Sequence, residues 1–390
     1  MIRLTIDKLR PSQVLARAVM NPGRPQDDLL KAGYVLTERS ITALARFPVD
    51  GVWIVDDTLG FIDEMLPIEV EEARRAAIAQ VKASFEALER HPSRKLDLRP
   101  FERVVDDLID AVSTSRPIFA YAESCASHEN FLYVHSANAC LLTIALARGL
   151  RDYLLSQRHR PQANFAPVLA ELALGAVLHD IGNVRLSPEL RYRPDELTAP
   201  ELKKVREHTR HGYDMIRHVG TPLVAQMALN HHQRWNGQGY PVRRDHKTNR
   251  ARPPLAGESI PIFCRFLAVA DVFDTAIGEQ FFSEPKSPVE TFHEMRFSVN
   301  AGWFDPVVEE GFCRVVPAFP PGTTVTLSTG EAAAVTDFDT RNPCRPPVLL
   351  LTDRDGKPVP PTSREEISLA SASEISIVRW QERDVSSFIF

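Results

Sequence analysis

Six of the twelve histidines in this 390-residue chain fall within residues 179–232: His179, His208, His211, His218, His231 and His232. Even spreading would put fewer than two there, so the clustering asks for a chemical reason. Carboxylates accompany them. Asp180 follows His179 directly, Asp271 and Asp274 lie downstream, and His135 lies upstream. Imidazole and carboxylate together suit zinc, iron or manganese. Taken singly, each histidine reads equally as a core side chain satisfied by a backbone carbonyl. Taken together they fit metal binding better. The five cysteines, Cys125, Cys140, Cys264, Cys313 and Cys344, form no CxxC pair. That argues against a thiolate zinc site or a disulfide framework and fits a reducing, cytoplasmic compartment.

Apolar helical segments must position these groups, and the pattern places them at about 129–149, 166–180, 199–219, 222–233 and 260–276. The second, APVLAELALGAVLHD, is apolar nearly all round and ends in His179-Asp180. A buried carboxylate must be paired, hydrogen-bonded or metal-bound, because stranding it costs roughly several kcal/mol. In the third, Leu202, Val205, Gly212, Met215 and Val219 define an inward stripe that includes His208, whereas His211 and His218 lie off it and read as surface. In the fourth, Val224, Met227 and Ala228 face inward and His231 continues that face, with His232 beside it. The fifth leads from Phe263, Leu267 and Ala270 to Asp271, with Asp274 a turn later as a candidate orienter of a ligand. His135 sits inside the apolar run FLYVHSANACLLTIALA. Thr198 and Glu201 read as a capping box, and Thr221-Pro222 as another helix start.

The rest of the chain gives architecture. Residues 1–65 alternate short apolar runs with turn signals, among them Asp50-Gly51 before the strand-like Val52–Val55, and read as a small α+β module. Residues 66–115 read as a helical linker. In it Ile78, Val81, Phe85 and Leu88 form one apolar stripe, which either packs on a neighbouring helix or seams a homodimer. Residues 116–304 carry the histidines, and residues 305–390 read as a β-rich extension with a turn at Asp353–Gly356. The fold class is therefore mainly α. Net charge is -5, which gives no reason to expect a nucleic-acid partner. The N-terminus is a poor signal peptide, and no membrane association is expected.

The ordered series resembles the HD-GYP family, the cyclic-di-GMP phosphodiesterase branch of the HD phosphohydrolases. The matching residues are His135, His179-Asp180, His208-Thr-Arg-His-Gly212, His231-His232, Gly239-Tyr240-Pro241 and Asp271. The resemblance implies a helical HD-type bundle holding two divalent metal ions, iron or manganese. Asp180 would bridge the ions. His135, His179 and Asp271 would complete one, and His208, His231 and His232 the other. Asp180 and His179 would carry the catalysis, hydrolysis of cyclic di-GMP to the linear dinucleotide or GMP. Gly239, Tyr240 and Pro241 would form a docking surface for partners such as GGDEF-type cyclases. Some members bind a third metal through a Glu four residues before the first His; Phe131 stands there, so two metals are expected.

Two residues depart from the family pattern. Asn183 stands where the family has a phosphate-binding Lys, and Gln280 where it has an Arg. Losing a charge-assisted phosphate contact costs ~1.5–3 kcal/mol. We expect Asn183 at the substrate, with replacement cations, above all Arg243 and Arg244, supplied by the basic loop that also holds Lys247, Arg250 and Arg252. The competing functions are a non-catalytic receptor that keeps its metal site and a phosphohydrolase of another nucleotide.

Overall fold

The structure is a computed structural model that describes residues 1–49, 51–114, 130–158, 164–191, 197–245, 247–248, 250–278 and 285–390. Gln280 lies outside the described residues. The fold is mainly α, as the apolar periodicity requires. Its centre is a helix buried on all sides, α5 (Phe131–Gly149), flanked by α7 (Phe165–Leu178) and α12 (Ile262–Ile277). All three are too apolar to face water, and one continuous core encloses them. By length and composition α5 and the segment Phe165–Arg185 could each cross a membrane, but 89% and 67% of their most apolar windows are buried within the protein.

The remaining helices wrap this centre. α3 (Ile68–Arg90) and α4 (Arg99–Thr114) pair with each other and lie on α5 and α7. The α3 stripe of Ile78, Val81, Phe85 and Leu88 is at most 4% exposed, so its apolar surface is spent inside the chain. α9 (Ala199–Val205), α10 (His208–Ile216) and α11 (Pro222–Asn230) close one side. α13 (Pro288–Phe297) and α14 (Pro306–Cys313) pack on α12. Asp305, at the start of α14, is buried against Arg265 and the hydroxyl of Tyr153, both at 2.7 Å.

The single helix expected over 199–219 is two. α9 opens on the anticipated capping box, with Thr198 N–H donating to Glu201 at 2.9 Å, and stops at Val205. There the His208 ring donates Nδ1–H to the Val205 carbonyl at 2.7 Å, competing with the helical ladder. The change of direction leaves Leu202 and Val219 about 39% and 40% exposed, so they lie off the inward face, whereas His208 and Gly212 stay buried.

Flanking the bundle, the N-terminal module pairs β1 (Ile2–Thr5) antiparallel with β4 (Gly51–Ile54) and carries the hairpin β2 (Val19–Asn21) and β3 (Arg24–Leu30). The C-terminal segment forms a six-stranded antiparallel sheet of β5 (Thr324–Leu327), β6 (Ala332–Val335), β7 (Pro347–Leu350), β8 (Glu366–Ser368), β9 (Ile377–Trp380) and β10 (Arg383–Asp384), in the order β10-β9-β5-β6-β7-β8. The sheet abuts the module: Arg3 N–H donates to Gly322 O at 2.7 Å, and Arg364 pairs with Asp56 at 3.1 Å.

One glycine governs how closely the site can assemble. The turn after the His-Asp doublet, Ile181–Arg185, lies against α10, and a Cβ on Gly182 would stand 1.9 Å from the His208 carbonyl oxygen. Only hydrogen fits there, so Gly182 sets the separation of Asp180 from His208. Gly182→Ala is expected to cost about 1–3 kcal/mol of stability and to lower the amount of metal retained, read by denaturant unfolding and elemental analysis. An unchanged unfolding midpoint would show that the turn has slack.

Candidate metal centre

Three of the histidines stand at or just beyond helix ends, beside the carbonyls of a last turn. Each ring donates its Nδ1–H to one of these carbonyls. His179 donates to Ala176 O at 2.7 Å, His208 to Val205 O at 2.7 Å and His231 to Met227 O at 3.0 Å. That bond fixes the tautomer: with Nδ1 protonated, Nε2 of the neutral ring carries a lone pair. His135, inside α5, is held the same way by Asp274, whose Oδ2 accepts from Nδ1 at 2.7 Å.

The four Nε2 atoms point to one place. Those of His135 and His179 are 3.2 Å apart, and those of His208 and His231 are 3.3 Å apart. Lone pairs held this close repel unless something positive lies between them. Two aspartates complete the surroundings. Asp180 presents Oδ1 to His208 at 3.3 Å and His231 at 3.7 Å, and Oδ2 to His179 at 3.7 Å and His135 at 4.0 Å. Asp271 lies 3.1 Å from His135 and 3.9 Å from His179 through Oδ1, and 3.5 Å from His232 Nδ1 through Oδ2. All seven expected ligands thus converge. Two groups have donor atoms close enough to share an ion: Asp180, His208, His231 and His232, and His135, His179 and Asp180.

The electrostatics favour a cation. Burial would raise the Asp180 pKa, but the surrounding imidazoles of His179, His208, His231 and His135 hold it well below the usual carboxylate range. Burial likewise opposes ionisation of Asp271, and the His135 hydrogen bond outweighs it. Burial, then the neighbouring His179, push His231 down to about 3, and burial leads the lowering of His232. The site therefore keeps ionised carboxylates beside the neutral, lone-pair-bearing rings of His231 and His232. His135 differs: burial would lower its pKa, but Asp271 and Asp274 raise it well above the usual value, so without a metal this ring takes up a proton.

The other expected site residues divide. Asn183 lies beside the cluster, but its Nδ2 donates to the Asp180 carbonyl at 3.0 Å, binding the side chain to its own turn. Arg243 and Arg244 are exposed on an excursion closed by the Arg244–Ala251 bridge, and the cluster of seven does not include them. On the same loop Arg252 pairs with Asp245 at 2.5 Å. Tyr240 packs its ring on His232 at 4.5 Å, and the Arg206 guanidinium lies 4.8 Å from the centroid of the same Tyr240 ring. Gly239 is required for this packing, since a Cβ would stand 2.5 Å from Arg234 N and His232 O. Gln233 holds the Pro241 carbonyl at 2.9 Å, and Val242 beyond it is 55% exposed. Phe131 stacks its ring on His135 at 5.4 Å, so an apolar face stands at the position considered for a third-metal carboxylate. Of the two off-stripe histidines, His218 is exposed and His211 half-buried.

Sequence reasoning missed Asn138. Its Nδ2 donates to Asp274 Oδ1 at 2.9 Å. A buried amide three residues after His135 in an otherwise apolar helix was the available signal.

Comparison with known proteins gives the same direction. The HD domain family matches residues 154–308, and the family described as a KOW domain associated with HD domain matches residues 324–385. The cyclic di-GMP phosphodiesterase PA4108 of Pseudomonas aeruginosa is 28% identical over 300 residues, covering 74% of this chain and 66% of that protein. A cyclic di-GMP phosphodiesterase of Thermotoga maritima is 31% identical over 150 residues, 38% of each chain. The 3'3'-cGAMP-specific phosphodiesterase 2 of Vibrio cholerae is 29% identical over 136 residues, 34% of this chain and 24% of that one. The chain thus spans just under two thirds of the first of these relatives and much less of the others.

If the facing lone pairs await cations, binding will stabilise the fold. Metal at 100 times its dissociation constant should add about 2.7 kcal/mol. Manganese should raise the melting temperature and a chelator should reverse the rise; an unchanged melting temperature with both would contradict the assignment.

Proposed function

We propose that this chain, which matches the HD domain family over residues 154–308, is a metal-dependent phosphodiesterase of the HD-GYP type that hydrolyses cyclic di-GMP, acting in the cytoplasm. The observation that carries this reading is the division of Asp180, whose two oxygens face two different pairs of imidazoles. Such a carboxylate suits a bridge between two ions. His135, His179 and Asp271 would hold one ion, and His208, His231 and His232 the other; iron or manganese fits these donors. When bound, the pair would polarise a phosphodiester and activate water for its displacement.

This chain's residues prepare the site. Asp274 and the helix-end carbonyls hold the rings of His135, His179, His208 and His231 in the tautomer that offers Nε2. Tyr240 covers His232 and narrows the approach from one side. Residues 116–304 would carry the chemistry and residues 1–65 regulate it, while the exposed rim of the Gly239–Pro241 loop would receive a GGDEF-type cyclase.

A second reading, a receptor that binds the nucleotide and turns it over slowly, is favoured by one observation. Asn183 replaces an expected cation and spends its amide on the backbone. Both readings are separable by following linear product from cyclic di-GMP with manganese- or iron-loaded protein, using Asp180→Ala as the control. Turnover that falls at least ~1000-fold in the variant supports the enzyme. Binding without turnover supports the receptor, and cleavage of 3'3'-cGAMP alone would move the substrate to another cyclic dinucleotide. Asn183→Lys should tighten nucleotide binding by about 10-fold or more, the scale of one charge-assisted contact; unchanged affinity would show that this position does not face phosphate.

A further inference from the structure

Arg74, on α3, is only 2% exposed, in a helix that contributes none of the seven candidate ligands. A buried guanidinium needs a compensating reason. Its Nε donates to Asn138 Oδ1 at 2.8 Å, and Asn138 Nδ2 donates to Asp274 Oδ1 at 2.9 Å. Asp274 Oδ2 in turn accepts from His135 Nδ1 at 2.7 Å. A guanidinium can only donate and a carboxylate can only accept, so the amide of Asn138 has one satisfactory orientation between them. The line fixes the carboxylate that fixes the His135 ring. Asn138 and Asp274 are 1% and 2% exposed, so water is a poor substitute for either partner.

The same line continues outward. Arg74 also meets Glu71 at 3.1 Å, Glu71 meets Arg75 at 2.9 Å, and Arg75 meets Asp28 on β3 at 2.5 Å. A continuous run of charged and amide contacts therefore joins the N-terminal hairpin to the candidate metal centre.

We propose that Arg74 is a positioning residue of the metal centre, acting through Asn138 and Asp274 to hold His135 in its metal-binding orientation. The proposal rests on the metal-centre reading above and reaches beyond the seven ligands. Removing the guanidinium lets the Asn138 amide turn and leaves Asp274 Oδ1 without a fixed donor. Partners of metal-binding histidines contribute roughly 10–100-fold to metal affinity, and the same scale is expected here.

The test measures manganese affinity directly, by competition with a chelator, together with circular dichroism and melting temperature. Arg74→Met should fold, because the Glu71 side chain it leaves behind is 36% accessible, and should bind manganese roughly 10–100-fold more weakly. Asn138→Leu, similar in size and unable to relay, should show the same loss. Arg74→Lys, which can still donate to Asn138, should recover part of it. Variants that lose melting temperature but keep wild-type manganese affinity would overturn the positioning role and leave the metal centre standing. Wild-type protein that binds no manganese would overturn the metal-centre reading itself, and this inference with it.

Discussion

The structure depends on a conflict that the fold creates and does not itself resolve. Helix ends offer the carbonyls of their last turn to side chains, and three histidine rings take them up by donating Nδ1–H to Ala176, Val205 and Met227. Each bond satisfies a buried oxygen, and each turns a lone pair toward the same small volume. Together with His135, held by Asp274, the rings face one another at distances that only positive charge makes comfortable. The backbone thereby prepares a cation site.

Packing makes that arrangement specific. α5, α7 and α12 are largely apolar and buried, so a polar side chain on them is costly unless it is matched by a partner. His135, Asn138, Asp271 and Asp274 all occur on those helices and all contact another member of the cluster. Gly182 then lets α10 approach closely enough for His208 to meet Asp180. The Gly239–Pro241 loop finishes the enclosure by laying Tyr240 on His232. In this fold the loop is a wall of the site.

The convergence of these seven side chains was legible in the sequence because most of them interrupt an apolar pattern where an unmatched polar group could not be tolerated. His208 and His231 even fell on the expected faces. The break between α9 and α10 was not legible. Periodicity carries no sign that the His208 side chain would compete for the Val205 carbonyl, and so Leu202 and Val219 were assigned to an interior they do not reach. Arg74 was hidden for a different reason. Its partner is 64 residues away, and a charged residue on a long helix reads as solvated until the helix facing it is known. The expectation for Arg243 and Arg244 rested on composition alone, which gives the charge of a loop and not where its side chains reach.

The most direct measurement is anomalous diffraction at the metal absorption edge from crystals of the manganese- or iron-loaded protein. The account predicts two peaks, one on each side of Asp180, between the Nε2 atoms of His135 and His179 and those of His208 and His231. Absence of anomalous density within this ring of imidazoles, or peaks only at surface carboxylates, would contradict it.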